Sequence, residues 1–402
     1  METTMQLLSE RIENLQESAT IKMAKLSREL KAQGRDIIDL SIGEPDFETP
    51  QHIKDAAKKA IDEGYTHYTP VSGYVELRKA IAGKLKRDNN LDYTAEQIVV
   101  STGAKQSIAN VVLCLINSGD EVLLPAPYWV SYSAIAQLAE GVSVEMPTTI
   151  ETNFKITPEQ LEAAITPRTK MIIFSSPCNP TGTVYATEEL EALAKVLENH
   201  PQVFVLSDEI YEFINYTGKA HASIASIASL KDRVIVVNGF SKGYAMTGWR
   251  LGYIAAPLWI AKACDKMQGQ FTSATCSIAQ KAGEVAASAD HTPTYNMVKE
   301  FRKRRDLVYE LLKNIDGLKL NLPDGAFYFF PDVSGFFGKS YEGEALHTPE
   351  DISMFLLKEA NVAMVSGEAF GDKNCIRLSY ATSEEKLIDT CNRVKAALAK
   401  LS

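Results

Sequence analysis

No apolar run in this chain is long enough to read as a membrane span. The longest uncharged candidate, Val122 to Ala139, is interrupted by Pro125, Pro127, Ser131, Ser133 and Gln137. The six cysteines stand singly and form no Cys-x-x-Cys pair, which excludes a disulfide framework and a zinc knuckle and suits a reducing cytoplasm. Six histidines are equally dispersed and lack metal-ligand spacing, so no metal is expected. Positive charge is in deficit, with 42 basic against 51 acidic residues and a net charge of −9. No global field therefore favours nucleic acid or an acidic membrane, and an anionic substrate needs local cations in its pocket. The amino-terminal METTMQLLSERIENLQES lacks an apolar core and reads as neither signal nor transit peptide. Internal repeats and low-complexity linkers are also missing.

What is present is apolar and ordered. At 402 residues and 45% hydrophobic, the chain has the length of roughly two to three domains and can bury large cores. Short β-branched runs alternate with amphipathic stretches, at 97–101, 121–125, 142–146, 170–175, 203–208, 234–238 and 251–256. Helical patterns lie between them, at 104–117, 128–139 and 187–199. Strands apolar on both faces and separated by helices predict an α/β domain, a mostly parallel seven-stranded sheet covered by helices, over residues 50–290. The ends read differently. A charged helix is expected over 10–33 and a strand over 37–43. A long helix over 294–313 precedes strands near 325–333, 362–366 and 375–380, and a closing helix covers 383–400. Residues 1–49 and 291–402 are thus expected to form a smaller α+β domain.

In open α/β sheets, ligands gather at the carboxyl ends of strands. The run VIVVNGFSKGYAMTGWRLGYI (234–254) places Lys242 on a loop between two apolar strands, beside Ser241 and eight residues before Arg250. A lysine desolvated there loses its proton readily, as an imine-forming nucleophile must, although most isolated loop lysines are solvated. Strand 97–101 leads into Gly103-Ala104-Lys105 at a helix start, where free N–H groups suit a phosphate, as they would suit any capped helix. After strand 121–125 come Tyr128 and Trp129, placed either to stack on a planar ring or to fill the core. The turn SSPCNPTG presents Asn179. Asp208 ends a buried strand, where its carboxylate requires a cation such as a protonated ring nitrogen, with Tyr211 three residues on. Arg377 lies within the strand pattern CIRLSY and calls for either an internal carboxylate or a bound anion. An amine, a carboxylate, hydroxyl and amide donors and a phosphate cup together suit pyridoxal phosphate chemistry.

The segments SIGEPDFETP, HYTPVSGYVELRKAI, STGAKQSI, PAPYWVSY, SSPCNPTG, SDEIYEF, FSKGYAMTGWRLGY and IRLSYA, in this order along nearly the whole chain, resemble the class I aminotransferases of fold type I, which depend on pyridoxal 5′-phosphate. The resemblance implies that Lys242 carries the cofactor as a Schiff base and acts as general base, with Asp208 on the pyridine nitrogen. It implies Asn179 and Tyr211 on the ring's phenolic oxygen and Trp129 on the ring face. Gly103, Ala104, Ser241 and Arg250 would hold the phosphate, reached also by Tyr68 from a second subunit of a homodimer. Arg377 would grip the substrate α-carboxylate, helped by Gly43, in a ping-pong reaction between amino acids and 2-oxo acids.

Lys105 within STGAKQ, with Ser18-Ala19-Thr20, resembles the bacterial aspartate aminotransferase branch, in which that lysine contacts a distal carboxylate. Aspartate and 2-oxoglutarate are the substrates this implies. Transamination of aromatic amino acids, prephenate or alanine is the alternative. A non-catalytic cofactor-binding regulator is the reading from outside enzymes, and nothing ahead of residue 10 looks like the basic helical module it would carry.

Overall fold

A computed structural model describes residues 8–402; the first seven residues of the acidic amino terminus lie outside the described residues. Strands in chain order are β1 (Ile38–Asp39), β2 (Ile98–Ser101), β3 (Glu121–Ala126), β4 (Val142–Pro147), β5 (Thr169–Ser175), β6 (Phe204–Asp208), β7 (Val234–Gly239) and β8 (Gly252–Ala255). They are followed by β9 (Tyr328–Phe329), β10 (Ser340–Tyr341), β11 (Glu344–Ala345), β12 (Val362–Ala363), β13 (Val365–Ser366) and β14 (Ile376–Ser379).

The seven expected strands of the large sheet all form, in the order β2-β8-β7-β6-β5-β3-β4. Neighbours from β7 to β4 run parallel, while β8 is antiparallel to both β2 and β7. Strand side chains alternate between faces, so one set of β-branched residues serves two cores. Val100, Leu123, Ile172, Val205 and Val236 face helices Val75–Asn89, Thr187–Glu198 and Ser277–Ser288. Val99, Leu124, Ile173, Leu206 and Val237 face helices Ala104–Leu115 and Leu258–Phe271. Only β4, at the sheet edge, departs from the expectation of burial on both faces, with Val142 49% exposed.

The second core gathers the antiparallel sheet β13-β14-β9 and helices Thr292–Leu312, Pro349–Glu359 and Glu384–Leu398. Three expectations are corrected here. The helix expected over 10–33 is two, Glu10–Glu13 and Ala19–Ala32, because Ser18 is extended (φ −60, ψ 121) and its hydroxyl meets that of Thr20 at 2.9 Å. The strand expected over 37–43 stops at Asp39, paired with β12. From Ser41 onward the backbone carbonyls turn to side chains of the site instead of a neighbouring strand. The strand near 325–333 shortens to Tyr328–Phe329. A hairpin, β10–β11, was not anticipated.

Candidate active site

Strands β3, β5, β6 and β7 end on one side of the large sheet, and the segments leaving them wall a cavity of about 510 Å³. The antiparallel pairing of β7 with β8 positions its centre. Gly239 lies opposite Gly252, and a Cβ on either would strike backbone: Gly239 against Gly252 itself, Gly252 against Gly103 and Ala104. The two glycines thus let the start of helix Ala104–Leu115 close onto the loop that carries Ser241 and Lys242.

Lys242 donates a hydrogen bond to the Gly43 carbonyl and sits 5.7 Å from the ring centres of Tyr211 and Phe327. Burial, followed by the nearby Arg377 and Arg250 charges, brings its amine down to about 8, against an upward pull from Glu44. Asp208 is buried, accepts from the Tyr132 hydroxyl at 2.7 Å and from the Ile210 backbone N–H at 3.2 Å, and has no salt-bridge partner among the described residues. Burial raises it to about 6, and the Tyr132 hydrogen bond restrains the rise. A buried carboxylate left with dipoles alone is costly unless a cation faces it.

Arg377, 2% exposed on β14, answers the question its sequence position raised. Its Nη1 donates to Asn179 Oδ1 at 2.9 Å and its Nη2 to the Ser41 carbonyl, while Nε has no partner. The guanidinium lies 4.7 Å from the Tyr328 ring centre and 4.9 Å from that of Phe370. No carboxylate pairs with it among the described residues, which leaves the bound-anion alternative. Lys105 lies 4.9 Å from the Trp129 ring centre, likewise without a carboxylate, and burial and then Arg250 lower its pKa.

Ala104, Ser241 and Arg250 line the cavity together at the amino terminus of helix Ala104–Leu115, where backbone N–H groups and the helix dipole favour an anion. Gly103 (φ +83) lies directly beneath the Arg250 guanidinium, which a Cβ there would displace. Arg250 itself holds a left-handed φ of +53, a strained backbone for a residue other than glycine. Trp129 precedes its helix rather than belonging to it, since that helix spans Ser131–Leu138 and not the expected 128–139. The indole therefore lines the cavity from a loop.

The structure thus brings together Gly43, Ala104, Lys105, Trp129, Asn179, Asp208, Tyr211, Ser241, Lys242, Arg250 and Arg377 around one space. It does not bring Tyr68, which is 98% exposed and lines no part of it. Sequence reasoning missed Tyr132, Ser175 and Tyr328. Tyr328 meets the Tyr211 hydroxyl at 2.6 Å, and the Ser175 hydroxyl is buried without a partner. Tyr132 sits three residues beyond Trp129 in PAPYWVSY, and that spacing was the available signal.

The donors fit pyridoxal phosphate. An unneutralised buried carboxylate suits its ring nitrogen, a lysine with a lowered pKa its aldehyde, and a helix start with an arginine its phosphate.

The family profile described as aminotransferase class I and II matches residues 35–394. Among curated proteins, the chain is 47% identical over 400 residues to an aspartate/prephenate aminotransferase of Cereibacter sphaeroides, covering 99% of this chain and 100% of the relative. It is 46% identical over 398 residues to a bifunctional aspartate aminotransferase and glutamate/aspartate-prephenate aminotransferase of Petunia hybrida, covering 98% and 83%. Among solved structures, an aspartate aminotransferase from Rhizobium meliloti superposes with a TM-score of 0.95 at 42% identity, covering 98% of this chain and 99% of that one. An aspartate aminotransferase from Thermus thermophilus with maleate gives 0.90 at 40%, covering 97% and 99%.

Proposed function

The chain belongs to the class I and II aminotransferases, enzymes that depend on pyridoxal phosphate, and from that premise we propose that it transfers the amino group of aspartate to 2-oxoglutarate. One observation carries the substrate reading: Arg377 and Lys105, two cations without carboxylate partners among the described residues, line the same cavity from different elements. Such a pair suits a dicarboxylate, and the Thermus thermophilus relative was solved with one, maleate.

When bound, the cofactor supplies an aldehyde for amine exchange and a ring that withdraws charge from the substrate α-carbon. Arg377 binds the α-carboxylate, and the Asn179 side chain, accepting from Nη1 at 2.9 Å, steadies the guanidinium. Lys105 takes the distal carboxylate, with Ser18 and Thr20 lining the same cavity. Lys242 is the amine of covalent attachment. Because burial brings its pKa down to about 8, part of the Lys242 amine is neutral near neutral pH and would be available as general base for the substrate α-proton. Asp208 would hold the cofactor's ring nitrogen protonated, and Tyr132, donating to Asp208 at 2.7 Å, would keep that carboxylate in place. Tyr211 and Asn179 would donate to the cofactor's phenolic oxygen. Trp129, which lines the cavity, would stack on the cofactor ring.

The same reading assigns residues 50–290 to the cofactor-binding domain and 1–49 with 291–402 to the smaller one, supported by the large sheet lying within 98–255. It makes the enzyme a cytoplasmic homodimer in which Tyr68 reaches the partner's phosphate site. The exposure of that tyrosine away from its own cavity supports this. Prephenate is the second substrate reading, supported by the names of both curated relatives.

The test is the visible absorbance of the purified holoenzyme, titrated with single amino acids and no 2-oxo acid. Bleaching by aspartate and glutamate is expected. Bleaching only by aromatic amino acids or alanine overturns the substrate assignment.

A further inference from the structure

Two carboxylates with no part in the chemistry above are buried directly behind it. In the segment that leaves β6, Asp208, Ile210 and Tyr211 line the cavity, whereas Glu209 and Glu212, 1% and 6% exposed, do not. The backbone turns tightly here, the Glu212 N–H donating to the Glu209 carbonyl at 2.9 Å, so every side chain of the turn is committed to one side or the other. Glu209 accepts from Ser207 at 3.0 Å and Ser223 at 2.5 Å and meets His221 at 3.0 Å. Glu212 accepts from the buried amine of Lys84, on helix Val75–Asn89, and from Asn89 Nδ2 at 2.7 Å.

Lys84 touches more than its partner. Its amine lies 5.0 Å from the ring centre of Phe213, whose ring in turn abuts Gly243 so closely that a Cβ there would overlap it. Phe213 also meets Tyr244 edge-on at 5.6 Å. Lys84 thus sits behind both catalytic segments at once: through Glu212 behind Tyr211, and through Phe213 behind the Ser241–Tyr244 loop that carries Lys242. A buried ion pair contributes little to stability compared with apolar packing, and its best-attested use is to specify geometry.

We propose that the Lys84–Glu212 pair is a positioning device for the reaction, setting where the Tyr211 hydroxyl and the Lys242 amine stand relative to the cofactor. The inference rests on the roles of Tyr211 and Lys242 given above. Displacement of a reacting group by about 1 Å costs on the order of a hundredfold in rate, so a clamp on two such groups has leverage without touching substrate. Tyr211 tunes the proton affinity of the lysine–cofactor linkage, and that affinity is read directly as the pH at which the visible band shifts.

The experiment compares holoenzyme carrying Lys84→Met, Glu212→Gln, the double change, and the milder Asn89→Ala. Either single change of the pair leaves a buried charge unpaired and lowers thermal stability. The double change removes both charges and restores it. Positioning requires that the double variant, although stable, keep a displaced pH midpoint of the visible band and a kcat lowered by about tenfold or more, with amino-acid KM nearly unchanged. Asn89→Ala should move the midpoint in the same direction by less. If the double variant regains the wild-type midpoint and kcat along with its stability, the pair is structural only and the proposal falls. If it does not fold, Asn89→Ala decides by the same midpoint. A wild-type enzyme with no visible band overturns the reading of Lys242 itself, a failure distinct from a band that is present and does not move.

Discussion

Replacing Asp208 by asparagine should make the cofactor-free enzyme more stable while destroying its function. Burial lifts this carboxyl from 3.8 to about 6. At low pH both the folded and the unfolded chain hold the proton, and the group costs nothing. As pH climbs, the unfolded chain releases its proton first and the folded one retains it to about 6. The stability present below the unfolded value is therefore lost as pH rises through the folded one, to the extent of about 3 kcal/mol. Asparagine keeps an oxygen to accept from Tyr132 and removes the charge. The difference between variant and wild type should be near zero at about pH 4 and approach 3 kcal/mol in the variant's favour at about pH 8. Urea unfolding of both cofactor-free proteins across this range measures it, and taking the difference cancels every other titrating group. With cofactor present the order should reverse, because the ring cation that compensates Asp208 has no anion to meet in the variant. A variant no more stable than wild type at pH 8 would refute the idea that Asp208 is an uncompensated charge awaiting a cation.

Other consequences follow from neighbouring residues. Reattachment of cofactor to the stripped enzyme needs the neutral Lys242 amine, so its rate should rise about tenfold per pH unit up to about 8 and flatten above, as followed by the visible band. A rate flat from pH 6 to 8 would mean the amine is already neutral. Lys105→Ala should raise the KM for aspartate by about tenfold or more and leave that for a neutral or aromatic amino acid nearly unchanged. Equal loss for all substrates would assign Lys105 to the cofactor. Gly43→Ala pushes a methyl into the hydroxyl of Tyr328, which meets the Tyr211 hydroxyl and whose ring lies over Arg377, at a cost of about 1–3 kcal/mol. Raised KM for every amino acid with cofactor retained is the expected result in steady-state assays, and unaltered KM would show that Tyr328 yields freely.

Much of this molecule could be read from its residues. The seven strands of the large sheet were legible because each is a short β-branched run bounded by turn residues, a pattern set by local chemistry. Lys242, Asp208 and Asn179 were legible because each follows such a run, and Arg377 because it interrupts one. Strand ends in the smaller part of the chain were not, because β1, β9 and β12 are two residues long and exist only through their partners. The break at Ser18 was missed because Glu10–Glu13 and Ala19–Ala32 each have helical sequence, although Ser18 is a residue type that starts helices. Tyr328 was read as one aromatic of a strand, since its role depends on Tyr211 and Arg377, distant in sequence.

Residue order alone was enough for the inventory: an amine, a carboxylate, two cations and a glycine-bearing helix start, each placed beside or within a strand by residues a few positions away. Periodicity and turn chemistry act over such distances, so these assignments needed no three-dimensional knowledge. The tertiary structure decided the electrostatics. That Asp208 has hydrogen bonds but no salt bridge among the described residues, that Arg377 meets Asn179 and a backbone carbonyl rather than an acid there, and that Lys84 lies behind both Tyr211 and Lys242 depend on contacts between segments more than a hundred residues apart in several cases. A charge's partner is set by what the fold brings within a few ångströms, and desolvation by what surrounds it. Neither is encoded in the neighbours along the chain.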